Sequence, residues 1–284
     1  MADGDGLVRA MTDDGGLRVI VTRSTEMVRA AVAAQKVRGP LAARFAELLT
    51  ATVLVRETMA PRLRVQGLVR GSDGKGLLVA DSHPDGMTRG LVRIADGRST
   101  VPLDAGALLQ LMRTLPNGEL HTGTVEVPPD GGLSAAFMGY MLESEQVATA
   151  IAVGCSMDGD EVRAAGGYVV QLLPELDDAT LAIMTARLEE FPSMETLLGN
   201  AALTTDELLG ELLYRMPYTR LEQRRVAFGC ACSVERLLAS LATIGQHDLA
   251  DLVSSDAPLD ITCDYCGTPY QIQPEQLRGL LTTS

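Results

Sequence analysis

The 284-residue sequence predicts an α+β fold in three parts: an N-terminal mixed sheet/helix domain, a helical linker docked on it, and a small C-terminal zinc-binding domain. Three observations carry this expectation. Strand-like runs bounded by turn signals are interspersed with helical periods and do not alternate as regular βαβ units. Beyond residue 177 the apolar spacing becomes helical. Four of the five cysteines cluster near the C-terminal end, from position 230 onward. The boundaries that follow are 1–176 for the core domain, 177–229 for the linker region and 230–284 for the cysteine module.

The elements follow in chain order. Gly4-x-Gly6 lacks the third glycine of a dinucleotide loop and no strand precedes it, so it reads as a frayed terminus. Leu17 to Val21 reads as a strand. Ser24 is placed to cap a helix carrying Met27, Val28, Ala31 and Val32 on one face. Pro40 suits the first position of the next helix, with Leu41, Phe45, Leu48, Leu49 and Thr52 at helical spacing. Strands are expected at Leu63–Val69, Gly76–Ala80, Gly90–Ala95 and Leu120–Val127. The turn signals between them are Ser72-Asp73-Gly74, Pro84-Asp85-Gly86, Asp96-Gly97, Asn117-Gly118 and Asp130-Gly131. Gly71 to Gly76 lacks phosphate-loop spacing and reads as a hairpin turn. A helix over Ser134–Gln146 and strands at Thr149–Val153 and Gly167–Leu173 complete the core domain.

In the linker, Asp177 to Phe191 is an amphipathic helix with Leu181, Met184 and Leu188 on its stripe, broken by Pro192. Thr204 to Glu207 is a capping-box signature for a second helix bearing Leu208, Leu209, Leu212 and Leu213. This segment is too apolar for a solvated connector, so its stripes must dock on the N-terminal body.

Composition excludes several function classes. A hydrophobic fraction of 46% with 21% charged residues is that of a folded chain, not a disordered one. No apolar run approaches a membrane span, and the acidic start carries no secretory signal, so a reducing cytoplasm is expected. The net charge of −13 repels phosphates, and with no Trp and 4% aromatics there is no base-stacking platform; nucleic acid and membranes are not expected partners. No HExxH, paired-carboxylate or Ser/His/Asp arrangement points to an enzyme. Cys155 fails the nucleophile-elbow pattern and reads as a small buried apolar residue.

The informative motif is Cys230-Ala231-Cys232 followed, well downstream, by Cys263-Asp264-Tyr265-Cys266-Gly267. Two close pairs at a domain-sized separation supply what a tetrahedral four-thiolate zinc site needs. Gly267 suits a turn that bends the backbone close to sulfur. Between the pairs, Leu237, Leu238, Leu241 and Ile244 fit one helix, and Leu249, Leu252 and Val253 a shorter one. A core this small supplies about 3–5 kcal/mol, against about 10–16 kcal/mol for a structural zinc ion. The metal therefore decides whether the module folds. Four thiolates leave no open coordination position, so the zinc is structural or regulatory. Bound thiolate is also the form that oxidants attack, so the chemistry permits a redox switch without requiring one.

The sequence resembles the heat shock protein 33 family, the redox-regulated holdase chaperones of bacteria. The resemblance rests on Cys230-x-Cys232 with Ser233 and Glu235-Arg236, and on Cys263-Asp264-Tyr265-Cys266-Gly267 with Tyr270. Tyr140 to Gln146 and Ala164 to Tyr168 through Pro174 also match, with Val147 departing where a proline often follows. The resemblance implies that reduced members hold one zinc through Cys230, Cys232, Cys263 and Cys266 and are inactive. It implies that oxidation forms Cys230–Cys232 and Cys263–Cys266 disulfides, the second pair reacting earlier, with loss of zinc. The module and linker then unfold, and a form that is a homodimer binds unfolding client proteins without ATP. The alternatives are a thiol–disulfide oxidoreductase using Cys263 and Cys266, and a zinc-module scaffold with inert cysteines.

Overall fold

The computed structural model describes residues 4–95, 97–115, 117–200, 202–254 and 257–282. Asp96 of the expected Asp96-Gly97 turn lies outside them. The chain divides into two compact units, Met1–Gly229 and Cys230–Ser284.

The first unit contains, in order, β1 (Gly6–Thr12), β2 (Leu17–Arg23), α1 (Thr25–Gln35), α2 (Gly39–Thr58), β3 (Val65–Arg70), β4 (Gly76–Ser82), β5 (Met87–Ile94), β6 (Leu108–Thr114) and β7 (Leu120–Glu126). There follow α3 (Gly132–Glu143), β8 (Thr149–Asp158), β9 (Glu161–Leu172), α4 (Asp178–Glu190), α5 (Met194–Leu198), α6 (Thr205–Leu212), β10 (Tyr218–Arg225) and β11 (Ala227–Phe228). One sheet runs β10-β1-β2-β9-β8 and a second runs β11-β5-β4-β3-β6-β7. The β11–β5 pair is parallel; the other pairs are antiparallel.

Helix α2 packs against β2, β8 and β9 of the first sheet and β3, β4 and β5 of the second. It is buried almost throughout, from Leu41 to Glu57, as a helix apolar on every side must be. Close approach is part of this packing: a Cβ on Gly90 of β5 would stand 2.6 Å from the Phe45 ring. The main core gathers around α2, with Leu7, Ile20, Leu48, Leu54, Leu78, Leu109, Phe137 and Val169 in it.

A second core lies on the opposite face of the five-stranded sheet. Val8, Ala10, Leu17, Val19, Val21, Tyr168 and Val170 meet Met184, Met194, Leu198, Leu208, Leu209 and Leu212 of α4 to α6. The linker helices are docked as the sequence required. Their caps also form as read. Asp177 accepts from Thr180 N at 2.7 Å. Thr204 with Glu207 makes a full capping box. Of the α4 stripe, Met184 is buried and Leu188 half-buried, but Leu181 is exposed.

Four strands depart from the sequence reading. The expected frayed terminus gives way at Gly6 to β1, an interior strand between β10 and β2. Arg9 hid it: the charge that reads as solvated is paired with buried Glu57 at 2.6 Å. Strand β6 lies in the apolar run Leu108-Leu109-Gln110-Leu111-Met112, whose spacing does not separate strand from helix. The end of the 177–229 region, read as helical, holds β10 and β11 instead. In β10 the main chain pairs with β1 while its polar side chains stay at the surface, so no apolar period marks it.

The second unit comprises α7 (Val234–Leu241), α8 (Gln246–Ser254), β12 (Leu259–Thr262), β13 (Pro269–Ile272) and α9 (Pro274–Thr282), with β12 and β13 an antiparallel hairpin. Among its described residues the buried aliphatic side chains are Leu249, Ile272 and Leu277. Leu237, Leu238, Leu241 and Ile244 are only half-buried.

Candidate metal centre

Cys230 and Cys232 stand at the start of the second unit, just ahead of α7. Ser233 ends their segment by accepting the Arg236 N–H at 3.3 Å, so the helix starts directly after the cap that follows the second thiol. Cys263 and Cys266 occupy the turn of the β12–β13 hairpin. The turn is closed by Cys263 N–H donating to Thr268 O at 2.9 Å and Gly267 N–H to Cys263 O at 2.8 Å. Gly267 has φ 72°, the left-handed conformation that glycine adopts without a Cβ penalty.

The fold brings the two pairs together across the intervening helices α7 and α8. The four sulfurs lie within 4.8 Å of one another and could hold a metal ion. Cys230 Sγ is 3.8 Å from Cys263 Sγ, and Cys232 Sγ is 3.4 Å from Cys266 Sγ. Tetrahedral ligands about 2.3 Å from a zinc ion stand about 3.8 Å apart, so the spacing and the donor set fit. No disulfide joins the cysteines.

The electrostatics point the same way. Burial, opposed by a Tyr270 hydrogen bond and reinforced by the neighbouring sulfurs, pushes the Cys232 thiol up to about 12. Burial also raises Cys263. Cys266 is lowered to about 7: burial opposes ionisation, and Thr268 hydrogen bonds with the adjacent thiols outweigh it. Cys266 is thus the readier of these three to ionise, and a cation among the sulfurs would oppose the burial that holds Cys232 and Cys263 as thiols.

Two supporting side chains were not assigned a role from sequence. The Tyr270 hydroxyl donates to Cys232 Sγ and to Cys232 O, each at 3.1 Å. Thr268 Oγ1 lies 3.2 Å from Cys266 Sγ. Their signal is their place on the hairpin, shortly beyond Cys266. His247, which lies between the pairs in sequence, instead faces Asp251 at 3.3 Å, with both side chains exposed. Cys155 sits apart in the main core, buried as expected, with burial and then Glu47 and Glu195 raising its thiol to about 12.

Comparison with known proteins extends the likeness over the whole chain. The family model described as "Hsp33 protein" matches residues 5–273. The 33 kDa chaperonin of Bacillus subtilis is 29% identical over 287 residues, covering 97% of this chain and 98% of the relative. That of Halalkalibacterium halodurans is 28% identical over 288 residues, covering 98% of each. The crystal structure of the 33 kDa chaperonin (heat shock protein 33 homolog) from Thermotoga maritima shares the fold, with a TM-score of 0.84 at 20% identity, over 99% of this chain and 98% of that one.

Proposed function

The chain belongs to the Hsp33 family, and from that premise we propose that it is a cytoplasmic, ATP-independent holdase switched by the oxidation state of Cys230, Cys232, Cys263 and Cys266. The family is one of chaperones, not enzymes. The observation that carries the reading is the convergence of four thiols in a unit with three buried aliphatic side chains among its described residues. A zinc ion held by the four cysteines would supply the positive charge that lets their sulfurs stand together as thiolates.

Oxidation acts on the sulfurs directly. Each pair, Cys230 with Cys232 and Cys263 with Cys266, gives up two electrons and forms one S–S bond. One hydrogen peroxide accepts those electrons and, with two protons, leaves as two waters. The site then has no thiolate donors, and a unit with so small a core unfolds. Segment 177–229 loses its folded neighbour in the chain, and the second core opens. Val8, Ala10, Leu17, Val19 and Val21, now under α4 to α6, become the apolar surface that receives unfolding proteins. In this division, 1–176 is the body, 177–229 the cover and 230–284 the sensor. The oxidised form is a homodimer, and the charge of −13 keeps it from nucleic acid and anionic membranes.

Zinc release and suppression of thermal aggregation, followed in one sample before and after peroxide at elevated temperature, test the reading. The expected result is coupled loss of zinc and gain of holdase activity, reversed by reductant and zinc. Zinc release without holdase activity would leave an oxidisable zinc module, and catalytic reduction of insulin disulfides would favour an oxidoreductase. Peptide mapping of the oxidised protein should recover Cys230–Cys232 and Cys263–Cys266. Two short sulfur contacts run across the pairs, at 3.8 and 3.4 Å, so recovery of Cys230–Cys263 would overturn that pairing.

A further inference from the structure

Strand β10 is held unlike the other strands of its sheet. It pairs with β1 along the whole of that strand, from Gly6 opposite Arg225 to Thr12 opposite Tyr218, with a register shift at Arg9/Ala10. Yet no residue of β10 is buried. Tyr218 at its start packs against the rim of the second core, and its other side-chain anchors are polar and lie near the surface: Arg9 to Glu222 at 3.3 Å, Arg220 to Asp206 at 3.0 Å, Thr219 Oγ1 to Asp13 at 3.0 Å, and Arg224 to Pro84 O at 3.3 Å. Exposed pairs of this kind contribute little. Main-chain hydrogen bonds to β1 are therefore the chief tie.

Strand β1 is the opposite case. Leu7 enters the main core, while Val8 and Ala10 enter the core beneath the linker helices. Helix α6 covers that face with Leu208, Leu209 and Leu212, and after a short turn the chain enters β10. One continuous segment thus covers both the apolar face of β1 and its hydrogen-bonding edge. Arg225, the last residue of β10, lies just ahead of the boundary at Gly229.

We propose that β10 occupies the place of the client: when the α6–β10 segment lifts, an extended apolar segment of an unfolded protein adds to β1 as a new strand. This rests on the holdase reading and names how that surface recognises its partner. A bare strand edge satisfies its N–H and C=O groups with another strand. An unfolded chain carries those groups in any sequence, which suits a binder of many clients. The edge of β1, Gly6 to Thr12, spans about 24 Å. Alternate side chains of the added strand settle on Val8, Ala10, Val19 and Val21, so segments with apolar residues at every second position are preferred.

The test is hydrogen exchange on the full chain, reduced with zinc and then oxidised, alone and with chemically unfolded citrate synthase. Oxidation should expose both 6–12 and 218–225. Client should restore protection at 6–12 and leave 218–225 open. Protection of 218–225 in the client complex overturns the inference while leaving the holdase reading intact. Protection of 6–12 that rises with protein concentration without client assigns the edge to a second copy and also overturns it. Oxidised protein that binds no client overturns both. As a second measurement, a Val/Thr heptapeptide competes with the client, alongside versions N-methylated at alternate residues in either phase. One phase should bind about tenfold more weakly, since main-chain donors are lost with side chains unchanged. Equal binding by all three peptides assigns recognition to side chains and overturns strand addition.

Discussion

At the scale of single residues, two side chains show how local chemistry is set by partners that sequence spacing does not announce. Tyr270 reaches the Cys232 sulfur from the hairpin that carries the other thiol pair, so it fixes one ligand by a bond from the opposite segment. Replacing it with Phe removes that hydroxyl and keeps the ring. Affinity for zinc should fall about 10- to 100-fold, as for other outer partners of metal ligands, when measured by competition with a chromogenic chelator. An unchanged affinity would show that the ring alone supports the site. Asp81, in the first unit, has a completely buried carboxylate that accepts from Arg64 at 2.5 and 2.8 Å, Arg89 at 2.9 Å and His83 at 3.3 Å. Burial raises its pKa, but hydrogen bonds from His83 and Arg64, with their charges, hold it well below the usual carboxylate range. A depressed folded-state pKa contributes stability above the unfolded value near about 4 and loses it as pH falls. Asp81→Asn should therefore cost about 3–5 kcal/mol at pH 7, where it leaves the arginines without their counter-charge. The gap in urea midpoint between the two proteins should narrow below pH ~4. A gap independent of pH would mean that packing, not charge, is what Asp81 supplies.

At the scale of elements, the linker helices are the part most easily perturbed without touching the cysteines. Leu209 of α6 is fully buried against the second core. Leu209→Ala should weaken that docking by about 2–5 kcal/mol. The expected outcome is faster hydrogen exchange over 205–225 in reduced, zinc-loaded protein, with zinc content unchanged. Unaltered exchange there would show that α6 is held by something other than its leucines. The same elements show what a sequence makes legible. The stripes and caps of α4 and α6 were readable because a helix docked on one face must repeat its apolar side chains every third or fourth residue. The four sulfurs were readable because a thiolate site needs two close pairs. Strand β1 was not, because its one charged residue, Arg9, finds its partner Glu57 on a distant helix. Nor was β10, whose reason for being a strand lies in the edge of β1 and not in its own side chains. Tyr270 and Thr268 were visible as residues, but their service to sulfur depends on hairpin geometry. What sequence withholds here is pairing between segments far apart in the chain.

At the scale of the whole molecule, the two units differ in what keeps them folded. The first has two apolar cores, one on each face of the five-stranded sheet. The second has Leu249, Ile272 and Leu277 as its buried aliphatic side chains among the described residues. Its charge is also unfavourable: Arg236 and Arg278 against Glu235, Asp248, Asp251, Asp256, Asp260, Asp264 and Glu275 give 2 − 7 = −5 before any thiolate is counted. A core of that size supplies about 3–5 kcal/mol at most, whereas a four-thiolate zinc site supplies about 10–16 kcal/mol. Removing the metal should therefore take the second unit below the threshold of folding while leaving the body, 1–176, well above it. A strong zinc chelator added to reduced protein should abolish exchange protection over 230–284, with protection in the main core of 1–176 retained. Because no thiol is oxidised in this treatment, it separates the metal's contribution from that of disulfide formation. Opening of the main core of 1–176 together with 230–284 on chelation would mean that the body depends on the zinc unit for its stability, and the division of labour between a metal-held sensor and a self-sufficient body would fall.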